Sequence, residues 1–226
     1  RKNRLSGFFF FIEKLYFIFY NFKMIESNFL MFFINYLPIL YSLVIILNLF
    51  FLIFSKNENL KQKIIKISFW IIFVLVFLKI ILLFVFQYFI WKIDNPYFLP
   101  PYQDISYFLR YAAFHFAFNS ILSVITSLIL FFIINFANKI SKDKFFYKDE
   151  VYLSGIAILT NPWPNNLLVF LLVPLAALIL MVIFVVIKKS LDYRINWKYL
   201  WLIIGLILLI FGNQLIKILN LEVLKV

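Results

Sequence analysis

Long apolar runs alternate with short polar interruptions along this chain, and the apolar runs are of bilayer length. They lie at about Phe29–Phe54, Ile67–Trp91, Leu109–Ala137, Leu167–Ile187 and Tyr199–Ile216, each close to or above the ~20 residues a helix needs to cross a membrane. A shorter run at 145–161 adds a sixth element, closed by Asn161-Pro162-Trp163-Pro164. Lipid offers no partner to a bare backbone N–H or C=O, so spans of this kind are helical. The pattern predicts an all-α, polytopic membrane bundle of about six elements, with residues 24–226 forming one multi-pass domain. Trp70, Trp91, Trp163, Trp197 and Trp201 fall at or near the span ends, where amphipathic rings favour the headgroup layer.

The polar interruptions carry the orientation. The loop at 55–66 holds Lys56, Lys61, Lys63 and Lys66; the loop at 138–148 holds Lys139, Lys142, Lys144 and Lys148; the loop at 188–198 holds Lys188, Lys189, Arg194 and Lys198. The opposite side would hold only Lys92, Arg110, Lys217 and Lys225. Basic loops stay in the cytoplasm, so the expected location is the cell membrane with these three loops cytoplasmic. Loops 138–148 and 188–198 can share a side only if the chain crosses twice between them. Leu167–Ile187 is one crossing, and 145–161 is then predicted to be the other, with a re-entrant segment as the alternative. The basic and aromatic segment 1–23, with Arg1, Lys2, Arg4, Lys14 and Lys23, conflicts with this sidedness. It is expected to be non-native or the end of a truncated upstream region, or else Leu5–Phe22 is a further span.

Composition narrows the chemistry. Hydrophobic residues make up 65% of the chain and charged residues 14%, against about 25% charged in soluble domains; the mean hydropathy is +0.99. Without cysteine there is no disulfide, thiolate nucleophile or Cys-ligated metal. A single histidine, His115, argues against a His-rich metal site, and no cofactor or metal is expected. The net charge of +12 is read as basic loops facing anionic lipid rather than as a nucleic-acid signal. The expected surroundings are the lipid bilayer, other membrane proteins or a pilin-like substrate, and no nucleic acid. The 32 phenylalanines accompany abundant Ile, Lys and Asn, all with A/T-rich codons, and are read as lipid-facing filler.

Three sets of residues are candidates for chemistry. Lys79 lies at the centre of the second span, where a lysine costs roughly 2.5–3.5 kcal/mol on insertion scales, so it marks an ion pair, a substrate path or a bundle-facing charge. His115, Asn119, Ser123 and Thr126 recur at helical spacing in the third span and predict one polar face, serving as a substrate path or a helix–helix seam. Asp149 and Glu150 open the 145–161 element. Glu150, Ser154, Ala157 and Asn161 share a face there, so Glu150 is expected to face its neighbours and Asp149 to reach water. A helix start also favours negative charge.

The order around that acidic pair resembles the second half of the type IV prepilin peptidases, which are membrane aspartic proteases. Tyr147-Lys148-Asp149-Glu150 occupies the place of their Gly-x-Gly-Asp motif, and a span, the basic loop 188–198 and a last span follow. The resemblance implies Asp149 or Glu150 as catalytic carboxylate, with a second carboxylate from an earlier helix; Asp104, Asp143 and Glu58 are the acids to consider. Tyr147 and Lys148 stand where the motif has glycines. The expected function is therefore a divergent, non-catalytic relative of these peptidases. The rival readings are an active aspartic endopeptidase, a small transporter or channel subunit using Lys79, His115 and Asn119, and a membrane scaffold.

Overall fold

A computed structural model describes residues 25–141, 146–188 and 196–224, with side chains for 35–140, 146–187 and 196–224. The segment 1–23 lies outside the described residues. Among the described residues there is helix and no strand, in the order α1 (Ile25–Phe54), α2 (Glu58–Asp94), α3 (Ile105–Ala112), α4 (Phe118–Ser141), α5 (Glu150–Thr160), α6 (Asn165–Lys188) and α7 (Trp197–Ile218). A π turn, Ala113–Ala117, joins α3 to α4 in one continuous rod, and short 3-10 turns lie at Pro96–Phe98 and Leu221–Leu224. The chain divides at Leu37/Pro38 into two units, and the packing below is that of the second. Five helical segments are long and apolar enough to cross a membrane: Asn35–Phe54, Glu58–Asp94, Ile105–Ile140, Asn165–Ile187 and Trp197–Ile218. This is an all-α, multi-span membrane protein.

The short helix α5 is the hub. It packs against α2, α4, α6 and α7, and of its 11 residues only Tyr152 retains partial exposure. Small side chains allow that closeness. Gly155 lies under the Phe69 ring of α2 and beside Ser127 of α4, while Gly205 of α7 lies against Ala157. Gly212, farther along α7, meets the side chain of Asn165. Tight contact of this kind drives helix association where lipid supplies no hydrophobic contrast. By contrast α6 buries only a narrow stripe that includes Val169, Val173 and Ala177, and leaves Leu171, Leu175, Leu178, Val182 and Val186 exposed, as suits a face against acyl chains.

The helix at 145–161 is shorter than the sequence predicts. It begins at Glu150 and ends at Thr160, with Asn161 extended at φ −110 and ψ 94. Pro162 disfavours helical geometry at the residue before it, which sets the stop. Hydrogen bonds and packing show how the remaining distance is covered. Glu150 bonds to Trp197 at the start of α7, Asn161 bonds to Gly205, and Asn165 packs on Gly212. The chain from Glu150 to Asn165 thus advances along α7 in one direction, over a rise of about 22 Å. It does not turn back at Asn161, and α6 then runs antiparallel to α7. Likewise α4 runs antiparallel to α5, tied by Phe146 to Asn138, Ser127 to Gly155 and Trp163 to Asn119. The Tyr199 hydroxyl reaches the Leu52 carbonyl at 3.5 Å. The connections after α1, after α4 and before α7 therefore share one end of the bundle.

Two measurements check this packing. Single cysteines at Ser55 and Asn196 will react with an impermeant thiol reagent from one side of the membrane, and those at Gln103 and Val223 from the other. Ser55 and Asn196 reporting opposite sides would break the assignment. Gly155→Ala would place a Cβ 2.5 Å from Cε2 of Phe69 and should destabilise the protein by about 1–3 kcal/mol. Phe69→Leu in the same chain should restore part of the loss, measured as the unfolding midpoint in detergent.

Candidate functional site

Asp149 and Glu150 are both buried, at 2% and 0% exposure. Glu150 is held by the backbone. Its Oε2 accepts from the Tyr147 N–H at 3.0 Å and its Oε1 from the Trp197 N–H at 3.0 Å. The first bond closes the turn that starts α5; the second reaches the start of α7. Asp149 instead takes an ammonium: Lys198 Nζ lies 2.8 Å from Asp149 Oδ2. The same ammonium sits 4.7 Å from the centre of the Tyr147 ring, within cation–π range. Phe146 and Trp197 pack edge to face over the cluster at 5.5 Å. Asn196 caps α7 by accepting from the Lys198 N–H, which fixes the turn from which Lys198 projects.

This arrangement corrects the expectation that Asp149 reaches water. Its carboxylate is enclosed because a cation from α7 neutralises it, and a buried charge is tolerated when paired and hydrogen-bonded. Glu150 faces its neighbours as its helical position predicts. Lys198 and the Trp197 N–H are the functional groups that sequence reading missed. Lys198 is one of a dozen basic residues near this end, and nothing in the linear pattern singles it out, since it lies far from Asp149 along the chain.

Aspartic protease chemistry needs two carboxylates around one water. Asp104 stands exposed before α3, with the connection that follows α2, at the far end of the bundle. Glu58 is exposed and pairs with Lys61 at 2.8 Å. Asp143 lies outside the described residues. The two acids that are brought together, Asp149 and Glu150, are occupied by an ammonium and by two backbone donors.

Lys79 is half-buried and lines a small pocket with Tyr41, Val76, Ser120, Ser123, Leu159 and Pro162, of about 10 Å³. Of the predicted polar face of α4, Ser123 lines this pocket and Asn119 does not; the Ser123 hydroxyl donates to the Asn119 backbone carbonyl at 2.9 Å, and Thr126 accepts from Asn166 at 3.0 Å. His115 is not with them. It is exposed, against Tyr111 at a ring separation of 4.3 Å. The cause is the π turn at Ala113–Ala117: its wider turn breaks the i, i+4 register that would have aligned His115 with Asn119. Tyr41, from α1, is the pocket residue that sequence reading missed, since no spacing relates it to Lys79. No known protein family, characterised protein or solved structure matches this chain.

Proposed function

We propose that this chain is a non-catalytic, multi-pass protein of the cell membrane, a scaffold in which Asp149 and Glu150 hold the bundle together. In layout it is a divergent relative of the prepilin peptidases. The observation that carries this reading is the occupancy of both acids: Asp149 is bound to Lys198, and Glu150 to the Tyr147 and Trp197 N–H groups. A carboxylate that activates water must be free to take a proton from it, and here the acids join the starts of α5 and α7. The end that carries them is also the basic end, which the positive-inside rule puts in the cytoplasm. On this reading Ser55 and Asn196 cysteines are labelled from the cytoplasmic side.

A double-mutant cycle tests it. Asp149→Asn leaves a buried ammonium without its counter-charge, and Lys198→Met leaves a buried carboxylate. Each should lower stability by roughly 3–5 kcal/mol. Asp149→Asn with Lys198→Met removes both charges and should recover much of that loss, read as the unfolding midpoint and as the amount of protein in the membrane. A co-expressed prepilin should stay uncut by the unmodified chain. Prepilin cleavage that disappears in Asp149→Asn, with the variant still inserted, would overturn the scaffold reading in favour of an active endopeptidase.

A further inference from the structure

Two outer faces of the bundle share one division of chemistry. On α2, Lys63, Lys66, Trp70, Phe73 and Phe77 follow at spacings of three and four, which sets them on one face. All but the half-buried Phe73 are exposed. On α4, Leu128, Phe132 and Lys139 share a face in the same way, and all three are exposed. Each face is cationic at the basic end and apolar beyond it. Ring contacts join the two. Trp70 and Phe73 meet at 5.7 Å, and both lie against Phe69. Phe69 stacks on Phe131 at 5.9 Å, and Phe131 meets Phe132 edge to face at 6.0 Å. Tyr152 of α5 packs on both Phe69 and Phe131 at 5.7 Å, and Gly155 lies under Phe69. Helix α5 thus closes the inner side of the Phe69–Phe131 seam, and the two exposed faces flank its outer side.

The lysines of the two faces lie at neighbouring heights. Helix α2 runs antiparallel to the α3–α4 rod, since Trp91 packs on Tyr107 and Tyr111 at the other end. Lys66 and Lys63 therefore lie roughly 4.5 and 9 Å past the Phe69–Phe131 pair, and Lys139 roughly 12 Å past it in the same direction. Packed helices stand about 8–10 Å apart, so one headgroup can meet long cationic side chains from both. The described acids at this end are engaged elsewhere: Glu58 with Lys61, Asp149 with Lys198, and Glu150 with the Tyr147 and Trp197 N–H groups. Trp70 sits just on the apolar side of the lysines, where an amphipathic ring meets the headgroup layer. We propose that the outer groove between α2 and α4 binds one anionic phospholipid. Lys63, Lys66 and Lys139 hold its phosphate, and its acyl chains lie along Phe73, Phe77, Leu128 and Phe132. Charge complementarity selects the headgroup: three cations without a described acid favour a net-negative lipid over a zwitterionic one. The apolar continuation of both faces selects a lipid over free phosphate. The site is independent of the scaffold reading, which rests on Asp149 and Glu150.

The test titrates the full chain in detergent with phosphatidylglycerol, phosphatidylcholine or inorganic phosphate at matched ionic strength. The readouts are the unfolding midpoint and the lipid retained in native mass spectrometry. Phosphatidylglycerol should raise the midpoint saturably and stay bound as a single molecule; phosphatidylcholine and inorganic phosphate should do neither. Lys63→Gln, Lys66→Gln and Lys139→Gln should each weaken half-saturation by roughly fivefold. Lys56→Gln, which removes an exposed lysine from the α1–α2 connection, should leave it unchanged. Equal responses to the two lipids would overturn the site. So would a loss in Lys56→Gln as large as in the other three, the result expected of diffuse attraction to the whole basic end. Inorganic phosphate reproducing the full gain would overturn the lipid as its occupant.

Discussion

A helix of 11 residues rises about 16 Å, close to half of a ~30 Å hydrocarbon layer, and yet α5 stands at the centre of a membrane bundle. Much of the architecture answers that shortfall. A short helix cannot place both ends in water, so its terminal polar groups must be met by other helices. At its start, Glu150 turns back to the Tyr147 N–H and across to Trp197. At its end, Asn161 donates to the Ala157 and Gly205 carbonyls at 2.8 and 3.0 Å. The extended Asn161 and the prolines after it then carry the chain onward along α7. The glycines of α5 and α7 follow from the same constraint, because a helix enclosed by four others leaves no room for side chains at its closest contacts.

The Asp149–Lys198 pair belongs to this enclosure. Pairing two buried charges brings modest net stability, because desolvation offsets attraction, but removing one partner is costly. The pair is therefore better understood as fixing position than as supplying energy. It sets the height at which α7 starts relative to α5, and the Tyr147 ring lies against its ammonium. The basic connections gather at that end, so the one enclosed cation in the cluster is drawn from a surface already rich in lysine.

Lys79 presents the opposite situation. Near the middle of α2 the chain supplies a cation and no described acid to match it, with hydroxyls from α1 and α4 beside it. The bundle is thus polar in two separate places: a self-neutralised cluster at the basic end, and a small pocket lined by Lys79, Tyr41, Ser120 and Ser123 at the far end of α5. Between them lie the glycine contacts and the apolar face of α5.

The architecture was largely legible in the sequence. Hydropathy marks five spans and a short sixth because the cost of burying polar backbone in lipid leaves helices as the only way through. Pro162 ends the short helix wherever it is placed. The helical spacing of Glu150, Ser154, Ala157 and Asn161 is enough to turn Glu150 inward. What the linear pattern could not contain is partnership between distant elements. Asp149 was expected in water because nothing along the chain pairs it with Lys198; only the docking of α7 beside α5 does so. His115 was aligned with Asn119 on the assumption of a regular helix, and the π turn, a local departure in backbone hydrogen bonding, rotates it to the surface. Tyr41 meets Lys79 only at a pocket to which α1, α2, α4 and α5 each contribute. Sequence determines which segments enter the membrane, since that depends on each segment's own transfer energy; tertiary structure decides which charges meet, since that depends on how the helices are set against one another.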